Sequence, residues 1–215
     1  MKIYLTRHGQ TQWNIENRLQ GWKDSPLTEK GIVDAKLLGN RLKDIDIDII
    51  YSSSSGRAIT TAKIIKEKKD IEIVMDEGLR EMGVGDWHGM TLEEIKRNNP
   101  KEYYNYWYAP HLYIGTNGGE DFYQVQKRAV AAVNSIIHER KYENVLIISH
   151  GVTLKSIITY YQNKSMEKLW DPPILEGTSL SLIEVDGDNI KVPFCGDVSH
   201  LKDGPQKFIN SIAIY

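Results

Sequence analysis

Apolar positions along the chain switch between strand-like and helix-like spacing, and the switches mark its elements. Lys2 to Thr6, with Ile3 and Leu5 around Tyr4, predicts a short buried strand. Arg7 to Pro26 is polar and broken by Gly9, Gly21 and Pro26; so long a connection predicts a functional or compactly folded loop. From the N-cap residue Thr28, Ile32, Ala35, Leu38 and Leu42 recur at helical spacing to about residue 43. Ile47 to Tyr51 predicts a second strand, ended by the run Ser52 to Ser55. Gly56 to Lys66 predicts a helix through Ile59, Ala62 and Ile65, and Ile71 to Met75 a third strand.

A glycine-rich stretch from Glu77 to Met90 follows. Thr91 and Glu94 then form a capping-box pattern, opening a short helix that stops before Pro100. Tyr103 to Tyr108 reads as helix, broken by Pro110. Glu120 to Tyr142 is the longest helical pattern, with Val125, Ala129, Val133, Ile136 and Ile137 on one face. Asn144 to Ser149 is a strongly apolar fourth strand, followed by a helix over Val152 to Tyr161. Thr178 to Val185 and Asn189 to Phe194 pair around Asp186-Gly187, a hairpin signal. Strands alternating with helices predict an α/β fold with a largely parallel sheet, and the hairpin an antiparallel edge.

Composition narrows the function classes. The 215 residues are 40% hydrophobic and 26% charged, enough apolar material for a core and a length suited to one domain. Lys and Arg number 27 against 29 Asp and Glu, so no global field favours nucleic acid or a membrane surface as a partner. The single cysteine, Cys195, excludes an intrachain disulfide and a Cys-based zinc site, and fits a reducing compartment. Val145 to Ile148, among the longest apolar runs, is far too short for a bilayer. Met1 to Thr6 leads into Arg7 and His8 without the apolar core of a signal peptide, so a cytoplasmic location is expected.

In an open α/β sheet, ligands bind outside the carboxyl ends of the strands. There this chain places Arg7 and His8, then the serine run and Arg57, then Arg80 and Glu81, then His150 with Gly151 opening a helix. Singly, a His-Gly pair is turn chemistry and Arg57 a solvated charge. Together, Arg7, Arg57, His8, His150 and Glu81 on one rim form a positive pocket in a chain of near-zero charge. Arginine forks match phosphate oxygens, and helix-opening amides suit an anion, so a phosphate or carboxylate site is expected. His88, His111, His138 and His200 lack a partner spacing and read as structural or surface residues, and no metal site is expected. The aromatic run from Tyr103 to Tyr108 reads as helix packing, with no basic residues interleaved for base stacking.

Six ordered blocks carry a resemblance. They are Leu5 to Asn14, Asn17 to Trp22, Asp24 to Gly31, Ser52 to Ala58, Leu79 to Glu81 and Ile148 to Gly151. Together they resemble the histidine phosphatase superfamily, the phosphoglycerate-mutase-like family. The resemblance implies a three-layer α/β/α domain over residues 1–215, with a helical insertion at 91–119 over the active site. It implies His8 as the nucleophile that forms a phosphohistidine, and Glu81 as the acid and then the base. Arg7, Asn14, Arg57, His150 and Gly151 would hold the phosphate, and Gln20 and Gly21 would approach the substrate from the first loop. A backbone carbonyl is expected to hold the second His8 nitrogen protonated. No metal or cofactor is implied, and the ligand would be a small phosphorylated metabolite.

Mutases of this family resemble one another in an aromatic residue three positions after the acid and in a basic cluster on the insertion. Here Glu81 leads instead to Gly85-Asp-Trp-His-Gly89, similar to the phosphatase branch, and Asn98 to Gly119 contains one Lys, Lys101, and no Arg. A broad-specificity phosphatase is therefore preferred over a mutase, which would need a bisphosphorylated primer. A non-catalytic phospho-ligand module would lack the nucleophile or the acid, and this chain has both. Ile209, Ile212 and Ile214 are assigned to a core edge in preference to the subunit contact of a homodimer.

Overall fold

The structure is a computed structural model that describes residues 1–115 and 118–201. In chain order it contains β1 (Lys2–Arg7), α1 (Gln12–Ile15), α2 (Glu29–Arg41), β2 (Ile49–Ser52), α3 (Gly56–Lys66) and β3 (Glu72–Met75). Next come α4 (Leu92–Asn98), α5 (Pro100–Tyr108), α6 (Phe122–Glu139), β4 (Asn144–Ser149) and α7 (Gly151–Tyr161). The hairpin β5 (Leu180–Asp186) and β6 (Asn189–Asp197) follows.

The six strands form one sheet in the order β3-β2-β4-β1-β5-β6. The first four are parallel, and β5 and β6 add the antiparallel edge. Successive side chains in a strand point to opposite faces, and this divides the core in two. Ile3, Leu5, Ile49, Tyr51, Val145 and Ile147 pack with Ala129, Val133, Leu154 and Ile157 of α6 and α7. Tyr4, Ile50, Leu146 and Ile148 pack on the other face with Leu38, Ala58, Ala62 and Ile65 of α2 and α3. The central strand β4 is covered on both faces, which is why its sequence is an unbroken apolar run. A third cluster joins Trp87, Ile95, Tyr106 and Tyr113 to Phe122 and Val125 of α6, so the insertion has an apolar core of its own.

This is the three-layer architecture expected, and the helix caps follow the sequence signals. Thr28 accepts the Gly31 amide, and Thr91 with Glu94 closes a capping box on α4. Several boundaries differ for local reasons. β2 starts at Ile49 because Asp48 donates to the Asn144 carbonyl and ladder pairing with β4 begins at Ile49 opposite Val145. β3 likewise begins at Glu72, where it meets Ile49. α6 starts at Phe122 because Asp121 and Gln124 form a capping box, and it ends where Arg140 turns left-handed at φ 48°. α7 begins one residue early, at Gly151, with His150 as its N-cap. β6 runs on to Asp197, which reaches Leu180 through register shifts, and as an edge strand it tolerates Pro193. Ile209, Ile212 and Ile214 lie outside the described residues. Among the described residues no helix is long and apolar enough to cross a membrane.

The topology positions the site. β1 hands the chain to α2 on one face, and its neighbour β4 hands it to α7 on the other. The chain leaves these adjacent parallel strands in opposite directions, which opens a crevice at their carboxyl ends.

Candidate active site

Pairing of Arg7 with Ser149 brings His8 and His150 side by side past the ends of β1 and β4. Their ring centroids are 5.2 Å apart. The His8 ring is defined from both sides. Its Nδ1 lies 2.8 Å from the Gly9 carbonyl, which can only accept, so Nδ1 carries the proton. Arg57 Nε, which can only donate, reaches His8 Nε2 at 3.2 Å, so Nε2 presents a lone pair. Burial, reinforced by Arg57 and Arg7, pushes the His8 imidazole well below the usual histidine range. At neutral pH the ring is a neutral base with its free nitrogen among cationic groups.

Arg57 is one of the most buried charges in the molecule, its side chain 1% exposed. It enters from the first turn of α3 and is anchored on every nitrogen. Nη1 donates to the Lys23 carbonyl at 2.8 Å and to Asp24 Oδ1 at 2.9 Å, and Nη2 to the Gly21 carbonyl at 2.9 Å. Asp24 Oδ2 also accepts the Arg57 amide at 3.1 Å. Gly21 aims its carbonyl from φ +49°, and a Cβ there would collide with the His88 ring, so the turn requires glycine. Burial pushes the Arg57 guanidinium down from its usual value, opposed by Asp24. Arg7 donates from Nη1 to the Leu175 carbonyl at 2.9 Å, and a Cβ at Gly151 would sit 3.7 Å from its guanidinium carbon.

His150 Nε2 is 2.7 Å from Ser53 Oγ, on the loop after β2. Its buried Nδ1 has no hydrogen-bond partner among the described residues. Burial first, then Arg57 and His8, push this imidazole well below its usual range.

The opening of α7 is met by a side chain of the protein itself. Glu81 Oε1 accepts the Met82 amide at 2.8 Å, the Thr153 amide at 3.3 Å and the Thr153 hydroxyl at 3.2 Å. Oε2 accepts the Val152 amide at 3.3 Å. The helix start thus holds a carboxyl group supplied by the chain. Oε2, with one long contact, is the oxygen with lone-pair capacity to spare.

The structure therefore gathers Arg7, His8, Arg57, Glu81, His150 and Gly151 around one crevice. Asn14 and Gln20 are engaged differently. Asn14 Oδ1 receives both the amide and the hydroxyl of Thr11 at 3.0 Å, and Gln20 Nε2 donates to the same hydroxyl at 2.8 Å. These side chains tie the first loop to itself. Residues not singled out from sequence include Asp24, Thr61, Thr153 and Trp22. Thr61 accepts the Gly9 amide at 3.0 Å while donating to the Arg57 carbonyl, and Trp22 Nε1 donates to the Glu81 carbonyl at 2.9 Å. Asp24 lies in a block already noted for its resemblance, the one signal that pointed to it. The hydroxyls of helical threonines leave no such trace.

Tyr106, from α5, brings the insertion to this crevice. It is 2% exposed, and burial with the Glu81 charge holds its hydroxyl proton well above the usual range. Among the described residues no group of three or more His, Cys, Asp or Glu side chains is placed to hold a metal ion.

An α/β sheet with a neutral histidine, two buried guanidinium groups and a carboxylate at the ends of its parallel strands defines a class of phosphate-handling proteins. The family is specific. The family model described as "Histidine phosphatase superfamily (branch 1)" matches residues 3–197, and the chain belongs to that superfamily. It is 30% identical over 170 residues to phosphoserine phosphatase 1 of Hydrogenobacter thermophilus, covering 79% of this chain and 80% of that one. The solved structure of YhfR from Bacillus stearothermophilus is 49% identical with a TM-score of 0.90, covering 93% of this chain and 98% of that one. Phosphoglycerate mutase from Bacillus anthracis is 30% identical with a TM-score of 0.77, covering 93% and 94% respectively.

Proposed function

We propose that this protein is a phosphomonoester hydrolase acting on small phosphorylated metabolites through a phosphohistidine intermediate. The observation that carries the reading is the His8 ring, held with its proton on the Gly9 carbonyl side and its Nε2 lone pair beside Arg57. In this reading the guanidinium groups of Arg7 and Arg57 and the unpartnered Nδ1 of His150 receive the phosphate oxygens. His8 Nε2 attacks phosphorus as the ester P–O bond breaks, and Glu81, protonated on Oε2 in the substrate complex, gives that proton to the departing alcohol oxygen and becomes a carboxylate. Water then attacks the phosphohistidine, Glu81 takes a proton from it, and the P–N bond breaks to return neutral His8. The fixed cations neutralise charge that a metal would otherwise offset, so the reaction is read as metal-independent.

A phosphatase is preferred to a mutase because the insertion supplies aromatic groups where a mutase would grip a substrate carboxylate. Lys101, the one lysine between Asn98 and Gly119, is exposed on α5. The names of the relatives include both activities, so the substrate panel decides. Phosphoserine, sugar phosphates, 3-phosphoglycerate and p-nitrophenyl phosphate are assayed with EDTA present, and 3-phosphoglycerate also with 2,3-bisphosphoglycerate. Phosphate release from several esters is expected. Primer-dependent formation of 2-phosphoglycerate as the dominant reaction would replace this reading with the mutase.

A further inference from the structure

The acid step depends on where Glu81 stands, and the backbone that carries it is held by a side chain outside the catalytic set. Arg128, on α6, turns its guanidinium toward the loop after β3. Nη1 donates to the carbonyls of Gly78 at 2.9 Å and Arg80 at 2.7 Å, and Nη2 to the carbonyl of Glu81 at 3.0 Å. Its remaining donors close a forked pair with Glu120. Nε reaches Oε1 at 2.7 Å, and Nη2 reaches Oε2 at 2.8 Å.

Glu120 extends the grip past the acid. Its Oε2 accepts the Gly83 amide at 2.7 Å, and its own amide donates to the Gly83 carbonyl. Residues 78 to 83 are thus fixed on both sides of Glu81 by one ion pair. The pair is partly shielded from water, with side-chain exposures of 24% and 19%. Burial alone would raise the Glu120 carboxyl, but Arg128 and the Gly83 amide outweigh it and hold it below its usual value.

Three carbonyls and a carboxylate converging on one side chain need a planar fork of donors. Arginine has this geometry and lysine does not. General acid catalysis is sensitive to small displacements of the proton donor. We propose that the Arg128–Glu120 pair is the positioning device for the general acid, acting on Glu81 without touching substrate. This inference rests on the reading of Glu81 as the acid.

The test uses leaving-group dependence, because an alkyl ester needs a proton on its departing oxygen and p-nitrophenolate does not. Wild type, Glu81→Gln, Arg128→Met, Arg128→Lys and Glu120→Gln are compared on glycerol phosphate and p-nitrophenyl phosphate, with melting temperatures recorded. Arg128→Met is expected to lower kcat/KM, which covers only the steps up to departure of the alcohol, about 10- to 100-fold on glycerol phosphate, part of the roughly 10²- to 10⁴-fold that a general acid contributes. The loss on p-nitrophenyl phosphate should stay under about 3-fold. Arg128→Lys and Glu120→Gln keep most of the packing and should show the same split on a smaller scale, so the inference remains testable if Arg128→Met does not fold. Equal losses on both esters, or no loss on glycerol phosphate in a folded variant, would overturn it. If Glu81→Gln itself shows no split, the acid assignment falls and the inference with it. A split in Glu81→Gln alone rejects only the role of Arg128.

Discussion

The phosphate end of the crevice and the insertion above it are built on opposite principles. At the phosphate end the polar atoms of His8, Arg57 and Glu81 meet named partners from the first loop, α3 and α7. The insertion instead packs aromatic rings edge to face. Tyr106 meets Trp87, Trp107, Tyr113 and Phe122 at centroid distances from 4.9 to 5.9 Å. It leaves Tyr104, Leu112 and Ile114 exposed. Hydrogen bonds with narrow angular tolerance fix a reacting group to within tenths of an ångström, whereas ring packing fixes a shape. In the proposed reading, chemistry belongs to the first region and choice of the esterified alcohol to the second.

The largest expected effect lies at the phosphate end. His8→Ala should lower turnover by about 10⁴-fold or more and abolish trapping of phosphoenzyme, since loss of a nucleophile removes the pathway and not one contact. Near-normal activity in that variant would remove the basis of the comparison. Asp24→Asn tests how far anchoring matters. Arg57 keeps its carbonyl acceptors but loses its charged partner, so kcat/KM should fall about 10- to 100-fold on all esters alike. A loss confined to alkyl esters would place Asp24 with the acid instead.

Stability against pH reads the same region in the unliganded protein. His8 and His150 resist protonation when folded, while in the unfolded chain imidazoles take up protons near pH 6.5. The unfolded state therefore binds more protons below about pH 6.5, and the native state loses stability as the pH falls through and below that point. Each buried imidazole adds a slope of up to about 1.4 kcal/mol per pH unit, measurable by urea denaturation between pH 7.5 and 5. His8→Gln should reduce the slope, and a flat profile would mean that the site opens to water. The smallest effect belongs to the insertion. Tyr106→Phe should leave kcat on p-nitrophenyl phosphate within about 3-fold and shift KM for bulkier esters by a few-fold, with the pH slope unchanged.

The two regions also differed in how far they could be read before folding. The strand-end residues Arg7, His8, Arg57, Glu81 and His150 were recognisable because strand ends are marked by the loss of apolar alternation, and ligand sites follow them. The aromatic run from Tyr103 to Tyr108 was placed on a helix, and the starts of α2, α3 and α4 followed from Thr28, Gly56 and Thr91. Asp24, Thr61 and Arg128 were not legible. Each acts on a residue 33 to 52 positions away, and no local pattern records such a partner. Asn14 and Gln20 show the converse. Their residue types suit a phosphate cradle, yet Asn14 accepts from Thr11 and Gln20 donates to it.

From sequence alone came the alternation of elements, the absence of a global charge field and the list of groups able to bind phosphate, because periodicity and residue chemistry are local properties. Only the tertiary structure decided which nitrogen of His8 is unprotonated, which carboxyl group occupies the start of α7 and what holds the loop of Glu81 in place. Each of those depends on a donor and an acceptor meeting across the sheet. Such meetings are set by strand register and by the packing of α6 and α7, and those are properties of the whole fold.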